Sequence, residues 1–182
     1  MPDKKIIAFY SPYIGAGKST AAEYLLETAK DAEIYSFAEP VYSVVEKLLT
    51  RHLKVWGLVF DKTRPIEEAG GSSLRDFLIA FGQAGRSVHP DLWVNVMKNK
   101  LARLNSNETS VIDDLRFPNE YAMLKDKGAK IVRITNPDRE IIKSETEGLL
   151  EGFDFDYELV NYKRSIEEYH AQIDKMMSEL WT

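Results

Sequence analysis

The stretch from Ile6 to Thr20 constrains the fold of this 182-residue chain more than any other part of its sequence. An apolar run is followed by a loop of small residues, and Lys18-Ser19-Thr20 then open a helix. A strand, a glycine-containing loop and a helix N-terminus in this order form a cradle for phosphate, because the loop N–H groups and the helix dipole both favour an anion there. The sequence therefore predicts a phosphate-binding loop.

This loop fits the pattern G-x-x-x-x-G-K-[ST] except at its first position, where Pro12 replaces glycine. Lys18 would reach the β- and γ-phosphates of a bound nucleotide, and the Ser19 hydroxyl would ligate Mg²⁺. A structural glycine turn that binds no phosphate is the competing interpretation. The residues expected to bind the nucleotide here are Gly15, Ala16, Gly17, Lys18, Ser19 and Thr20.

Composition and charge narrow the class of protein. The net charge of −5 lacks the basic balance of proteins that hold long nucleic acid, whereas small anionic substrates need only a local cluster of Arg and Lys. The absence of cysteine excludes disulfides, thiolate chemistry and Cys-ligated zinc, and it suits a reducing cytoplasm. No apolar run reaches about 18 residues, so we expect no membrane span, and no signal peptide is expected before the first strand.

Short apolar segments alternate with amphipathic segments along the rest of the chain. Further strands are predicted over 33–37, 110–114, 130–134 and 157–161. Helices are predicted from Pro40, from Leu74 to about Gly82, after Asp91, from Asn119 to Gly128 and after Ser165, with residues 51–73 as an irregular insertion. Ser73 and Ser165 are predicted to cap the helices that they precede. This alternation predicts an α/β fold in three layers, with a five-stranded, mainly parallel sheet and helices on both faces.

Two acids end the third predicted strand. A phosphoryl-transfer site needs a carboxylate near Mg²⁺, and Asp113 and Asp114 follow a buried strand where that carboxylate should lie. A strand–turn cap without further function is the alternative. We assign the metal to Ser19 and Asp113 and expect both acids in the catalytic group, although the sequence leaves open which acid serves the metal.

Arginine suits the charge that develops in phosphoryl transfer, because its planar fork binds phosphate bidentately. Arg116 follows the two acids after one intervening residue, Leu115, and Arg75 and Arg86 flank Gln83. We expect these three arginines to join Lys18 in the catalytic group.

Aromatic and amide side chains could surround a nucleotide base, by stacking and by hydrogen bonds to its edge. Core packing is the competing interpretation for the aromatic ones, above all for Trp93 on an apolar helix face. The predicted substrate-binding residues are Phe37, Glu39, Arg75, Gln83, Arg86 and Trp93.

Taken together, several stretches resemble the deoxynucleoside monophosphate kinases of the bacteriophage type, a branch of the P-loop nucleotide kinases. The most specific stretch is Asp113-Asp114-Leu115-Arg116-Phe117-Pro118-Asn119-Glu120. The other matching stretches are 15–20, 36–40, 74–75, 81–83, 91–94, 131–134, 144–145, 155–157 and Asn161. Pro12 departs from the family pattern, and so does Lys143, where His is expected.

The resemblance implies transfer of the γ-phosphate of ATP, with Mg²⁺, to a deoxynucleoside 5′-monophosphate. It implies one P-loop kinase domain over 1–182, with an acceptor-binding insertion at about 38–95 and a lid at about 135–152. A solvated helix is the alternative for the lid segment, and its Arg139 is a further residue expected to bind the nucleotide. The expected partners are small nucleotides and no membrane, in the host cytoplasm if a phage encodes the chain, as a monomer or a homodimer. Two alternatives stay open: a related kinase that phosphorylates 5-hydroxymethyluracil within phage DNA, and a non-catalytic nucleotide-binding module.

Overall fold

The computed structural model describes residues 4–55, 61–104, 108–138, 148–162 and 165–181. The strands in these ranges are β1 (Lys5–Tyr10), β2 (Ala32–Tyr35), β3 (Thr109–Ile112), β4 (Lys130–Thr135) and β5 (Tyr157–Val160). The α-helices are α1 (Lys18–Thr28), α2 (Glu39–Lys47), α3 (Leu74–Val88), α4 (Leu92–Ala102), α5 (Pro118–Asp126) and α6 (Ile166–Leu180). No helix within the described ranges is both long enough and apolar enough to cross a lipid bilayer.

The strands form one sheet in the order β2-β3-β1-β4-β5, and every described pairing is parallel. Strand β1 is central: its Ala8 pairs with Ile112 of β3 and with Ile131 of β4. Residues 6–10 of β1 are at most 4% exposed, as expected for a parallel strand covered on both faces. The predicted α/β fold with a five-stranded parallel sheet is therefore confirmed.

Three strands are shorter than predicted, and β5 stops at Val160, one residue before its predicted end at 161. The β2–β3 ladder ends at the pair Tyr35–Ile112, so β2 and β3 each stop two residues before the predicted ends at 37 and 114. Residues beyond the last ladder pair enter loops at the carboxyl edge of the sheet. The shorter strands therefore leave Ser36, Asp113 and Asp114 in these loops.

Helix α3 is longer than predicted and continues past Gly82 to Val88. Glycine inside a helix costs about 1 kcal/mol relative to alanine, which led to the expectation of an early end. Gly82 is buried, and its carbonyl accepts a hydrogen bond of 2.9 Å from Nε1 of Trp93, so tertiary packing outweighs the low helix propensity.

The chain divides into two compact units, which we call the sheet unit (residues 1–36 and 98–182) and the helical unit (residues 37–97). The core of the sheet unit joins one face of the sheet to helices α1 and α6. Its largest members include Phe9, Leu25, Ile134, Ile173 and Met176, all at most 2% exposed.

The helical unit has its own core, formed by Val41, Val45, Leu49, Ile66 and Leu74. The segment predicted as irregular, 51–73, begins within a π-helical turn over Leu48–His52. It contains a 3₁₀ turn over Glu67–Ala69 and an isolated antiparallel bridge between Pro65 and Ser73, while residues 56–60 lie outside the described part of the chain. The unit spans nearly the same residues as the predicted insertion. Its role in acceptor binding stays a prediction.

The predicted cap of α3 is confirmed. Oγ of Ser73 accepts a hydrogen bond of 3.2 Å from the backbone N–H of Asp76, and Oδ2 of Asp76 accepts one of 2.8 Å from the N–H of Ser73. These reciprocal bonds form a capping box, which satisfies N–H groups that have no partner within the helix.

Candidate phosphate-binding site

The loop between β1 and α1 has the backbone of a phosphate cradle. Gly15 and Gly17 both have left-handed conformations, with φ of 69° and 104°, which side chains of L-residues disfavour. At the loop entry, where Pro12 replaces the expected glycine, Oγ of the buried Ser11 accepts a hydrogen bond of 3.1 Å from the N–H of Tyr13. The chain therefore enters the cradle through a side-chain-supported turn.

Gly17 is further constrained by its neighbours. A Cβ atom at this position would lie 2.5 Å from Nδ2 of Asn161 and 3.1 Å from the Tyr169 hydroxyl. Nδ2 of Asn161 donates a hydrogen bond of 2.8 Å to the carbonyl of Ala16, and the Tyr169 hydroxyl donates one of 3.1 Å to the carbonyl of Gly17. Two side chains from the C-terminal part of the chain thus hold the loop, and neither of them is among the predicted site residues.

Helix α1 begins at Lys18, and the carbonyl of Gly17 accepts its first helical hydrogen bond, from the N–H of Ala21. Ser19 is exposed in the first turn, and Lys18 and Thr20 are half-buried. The first turn contains no acidic side chain that would compete with an anion for the positive end of the helix dipole. The predicted residues 15–20 therefore lie together at this helix N-terminus.

Asp113 and Asp114 follow β3 directly, and β3 lies beside β1 in the sheet. Because parallel strands emerge at the same edge, both acids lie on the edge that carries the phosphate loop. Oδ2 of Asp114 accepts a hydrogen bond of 2.5 Å from the hydroxyl of Ser36, the residue that follows β2. The predicted acids are thus placed on the expected edge, and Ser36 is an additional residue there.

The segment after the acids is fixed by Glu120, which is 5% exposed. Its Oε2 accepts hydrogen bonds of 3.0 Å from the backbone N–H groups of Arg116 and Phe117. Leu115, at 1% exposed, anchors the same segment in the core. The side chain of Arg116 therefore extends from a well-defined backbone position, two residues after Asp114.

The donor atoms on this edge fit a magnesium ion. The Ser19 hydroxyl and the carboxylates of Asp113 and Asp114 are oxygen ligands, which Mg²⁺ prefers. Proteins commonly hold Mg²⁺ by one or two carboxylates together with substrate phosphates. In the described ranges, no three His, Cys, Asp or Glu side chains group as a metal cage.

The predicted acceptor residues lie in the helical unit. Arg75, Gln83 and Arg86 are on α3, and at 100° per residue their Cα atoms fall within a sector of about 80°. Arg75 and Gln83 are exposed, whereas Arg86 is half-buried and donates a hydrogen bond of 3.3 Å from Nη1 to the Gly82 carbonyl. One face of α3 therefore carries two guanidinium groups and an amide.

The predicted base-binding residues differ in their surroundings. Phe37 is 4% exposed, whereas Glu39 is exposed at the start of α2. Trp93 packs against the core of the helical unit and uses its indole N–H in the bond to Gly82. These contacts are the core packing that the competing interpretation described for Trp93, and its part in base binding stays a prediction.

Only the ends of the predicted lid are described, because Arg139 and Lys143 lie outside the described residues. At its C-terminal end Leu150 is fully buried. Glu151 accepts hydrogen bonds of 2.6 Å and 3.2 Å from Nη2 and Nε of Arg133 in β4. This end is therefore attached to the sheet unit.

No family model matches the sequence. A protein of Acanthamoeba polyphaga mimivirus named "Putative deoxynucleotide monophosphate kinase" is 29% identical to this chain over 182 residues, which covers 87% of this chain and 89% of the viral protein. The resemblance that the motifs indicated is thereby confirmed.

Three solved structures have a similar fold. TT1252 from Thermus thermophilus has a TM-score of 0.57 and 16% identity, over 99% of both chains. The dephospho-CoA kinase of Campylobacter jejuni has a TM-score of 0.53 and 14% identity, over 97% of both chains. The tunicamycin resistance protein of Deinococcus radiodurans has a TM-score of 0.52 and 16% identity, over 96% of this chain and 95% of that one. The chain therefore shares its fold with these three proteins, one of which is a dephospho-CoA kinase.

Proposed function

We propose that this chain, similar to a viral protein named for deoxynucleotide monophosphate kinase activity, is a kinase that transfers the γ-phosphate of ATP to a deoxynucleoside 5′-monophosphate. The observation that carries the proposal is the position of the phosphate loop beside the acids of β3. The loop follows β1, and Asp113 and Asp114 follow its neighbour β3 at the same sheet edge. A phosphate cradle next to carboxylates is the arrangement that phosphoryl transfer requires.

The sheet unit would bind ATP. The N–H groups of the loop and of the first turn of α1 would cradle the β- and γ-phosphates, and the ammonium group of Lys18 would neutralise part of their charge. Arg116, two residues after Asp114, would contribute a second positive group. These contacts act by electrostatic stabilisation, which is the main form of catalysis in phosphoryl transfer.

Magnesium would be held by Ser19 and by Asp113 or Asp114, together with oxygens of the ATP phosphates. When bound, it supplies positive charge at the phosphates. Asp113 remains the proposed metal ligand, and the hydrogen bond from Ser36 would hold Oδ2 of Asp114 in the loop after β3.

The helical unit would bind the acceptor. Arg75 and Arg86 share a face of α3 with Gln83, so the two guanidinium groups suit the 5′-phosphate and the amide suits the edge of a base. Glu39 could accept hydrogen bonds from exocyclic amino groups of the base. The buried Phe37 and Trp93 would support this face by packing. We also expect both aromatic rings to contact the base.

The reaction needs no strong base. An oxygen of the acceptor phosphate, already ionised at neutral pH, attacks the γ-phosphorus in line with the bond to the β,γ-bridging oxygen. The new P–O bond forms as the bridging bond breaks, and ADP leaves with the electron pair. The products are ADP and a deoxynucleoside diphosphate.

The proposal is tested by measuring ADP release from Mg·ATP with a panel of acceptors. The panel contains the four common deoxynucleoside monophosphates, 5-hydroxymethyl-dUMP and 5-hydroxymethyl-dCMP, ribonucleoside monophosphates, and duplex DNA carrying 5-hydroxymethyluracil. The expected result is turnover with one or more free deoxynucleotides, which also identifies the base. Turnover with modified DNA alone would replace the proposed acceptor, and ATP binding without turnover would indicate a non-catalytic module.

A further inference from the structure

Two side chains far from the phosphate loop in sequence contact its backbone. Asn161 and Tyr169 are 145 and 152 positions away from the residues they bind, and each donates a hydrogen bond to a loop carbonyl. The carbonyls are consecutive, on Ala16 and Gly17. We propose that Asn161 and Tyr169 are positioning residues that aim the N–H groups of Gly17 and Lys18 at the bound phosphates, an inference that rests on the proposed function.

Peptide geometry links the two contacts to the phosphate cradle. In a planar trans peptide, the carbonyl of one residue and the N–H of the next point in opposite directions. Because Asn161 holds the Ala16 carbonyl, the N–H of Gly17 points away from Asn161. Tyr169 fixes the Gly17 carbonyl, so the N–H of Lys18 likewise points away. Successive N–H groups held in this way form a concave anion site.

The two donors are themselves held in place. The backbone N–H of Asn161 donates a hydrogen bond of 2.8 Å to the carbonyl of Thr135, at the end of the β4–β5 ladder. Tyr169 is 3% exposed in the core between α6 and the sheet, and burial raises the pKa of its phenol above the ordinary value. The hydroxyl therefore remains protonated and can donate at neutral pH.

Gly17 makes this arrangement possible. The missing Cβ leaves room for Nδ2 of Asn161, which a methyl group would meet at 2.5 Å. The glycine thus serves the contact with Asn161 in addition to its left-handed backbone. A loop that only needed conformational freedom would not require a polar side chain this close.

The test uses variants that remove one donor each and keep the side-chain shape. Tyr169→Phe removes the hydroxyl, and Asn161→Leu replaces the amide by an apolar side chain of similar size. The matched control is Tyr24→Phe, because the Tyr24 hydroxyl donates a hydrogen bond of 2.8 Å to Asp174 and also joins α1 to α6, without contacting the loop. Calorimetric binding of inorganic tripolyphosphate and of ATP is measured for all proteins, with thermal midpoints and steady-state kinetics.

We expect each single variant to weaken tripolyphosphate and ATP binding about 3- to 10-fold, the effect of one hydrogen bond, and the double variant to weaken it further. The KM for ATP should rise while the KM for the acceptor stays constant, and Tyr24→Phe should bind like wild type. If Asn161 and Tyr169 served stability alone, their substitution would lower the thermal midpoint and leave these affinities unchanged. Unchanged affinity in Tyr169→Phe and in the double variant overturns the inference.

The two proposals fail in distinguishable ways. If wild type binds tripolyphosphate and the variants bind it more weakly, but no acceptor is phosphorylated, the positioning role stands and the kinase proposal fails. If wild type phosphorylates a deoxynucleotide and the variants retain its phosphate affinity, the kinase proposal stands and the positioning role fails.

Discussion

The hydroxyl of Ser36 donates a hydrogen bond of 2.5 Å to Oδ2 of Asp114, which joins the loop after β2 to the loop after β3. In Ser36→Ala the carboxylate loses this donor, and we expect kcat to fall about 10-fold, because a hydrogen bond to a charged group contributes about 1.5 kcal/mol or more. Steady-state kinetics with the accepted deoxynucleotide measure the change. The control is Ser178→Ala, which removes an exposed hydroxyl bonded to its own helix. An unchanged kcat in Ser36→Ala would contradict the prediction.

Lys18 is expected to contribute charge at the phosphates. Lys18→Ala should reduce turnover by on the order of 10²-fold or more, by analogy with the loss of one preorganised charge contact. The measurement is kcat/KM for ATP, with circular dichroism to verify folding. Lys30→Ala, in the exposed turn after α1, removes the same charge elsewhere and should leave turnover unchanged. Near wild-type turnover in Lys18→Ala would rule out the assignment of the phosphate loop.

Alanine variants of Gly17 and Gly128 distinguish the cost of backbone strain from the cost of a steric conflict. Both have left-handed φ, 104° and 74°, but a Cβ at Gly128 would meet nothing within 4 Å. Gly128→Ala should therefore lower the free energy of unfolding by about 1–2 kcal/mol through strain alone. Gly17→Ala should lower it further and also weaken ATP binding, since the methyl group displaces Asn161. Equal losses in urea unfolding, with equal ATP affinity, would show that the contact with Asn161 carries no weight.

Replacing either of two glycines of α3 by alanine should change the stability of the protein, in opposite directions for the two positions. At Gly85 a Cβ would lie 2.2 Å from the Trp93 ring, and the resulting overpacking should cost about 1–3 kcal/mol of stability. At Gly82 the nearest atom, on the Arg86 guanidinium, is at 3.5 Å, so Gly82→Ala should gain up to about 1 kcal/mol from helix propensity. Chemical denaturation of both variants tests the difference. A stabilising Gly85→Ala would show that Trp93 does not pack as described.

Asp156 should make stability depend on pH. Burial tends to raise the pKa of its carboxyl, but the hydrogen bond from the N–H of Ile131 and the nearby Lys125 and Lys130 together hold the pKa below the ordinary value. Because the folded pKa is the lower one, the carboxylate stabilises the fold above its unfolded pKa of about 4, and this stabilisation is lost as the pH falls through the folded pKa.

Asp156→Asn therefore should be less stable than wild type by about 1 kcal/mol at pH 7, a modest amount because the lysine partners are partly exposed. The difference should shrink as the pH falls below about 4, which is measured by denaturation at several pH values. Asp154→Asn, at an exposed neighbouring position, is the control. A difference that is constant from pH 7 to pH 3 would contradict the assigned role.

Local patterns predicted much of the fold and the position of the loop between β1 and α1. The apolar run before Gly15 and the helix after Lys18 are adjacent in sequence, so their order alone indicates the cradle. Strand positions followed from short apolar segments, and Ser73 and Ser165 were identified as helix caps from residue type and position. These features depend on neighbours within a few residues.

The remaining features depend on contacts over long separations. Tyr169 lies on the buried face of α6, and its position in the sequence gives no indication that its hydroxyl reaches Gly17. Asn161 directly follows a strand at the carboxyl edge and belongs to the family resemblance, but neither observation indicates its hydrogen bond to the Ala16 carbonyl. The predicted end of α3 was wrong because the carbonyl of Gly82 accepts a hydrogen bond from Trp93, eleven residues further along the chain.

The central position of β1 has a consequence for synthesis of the chain. Its partners β3 and β4 begin at Thr109 and Lys130, so β1 leaves the ribosome long before either partner exists. Residues 37–97, which form a continuous unit with its own core, are complete earlier. Co-translational folding should therefore begin in the middle of the chain, while the apolar strand β1 has no partner strand. This state favours chaperone binding and slows formation of the parallel sheet.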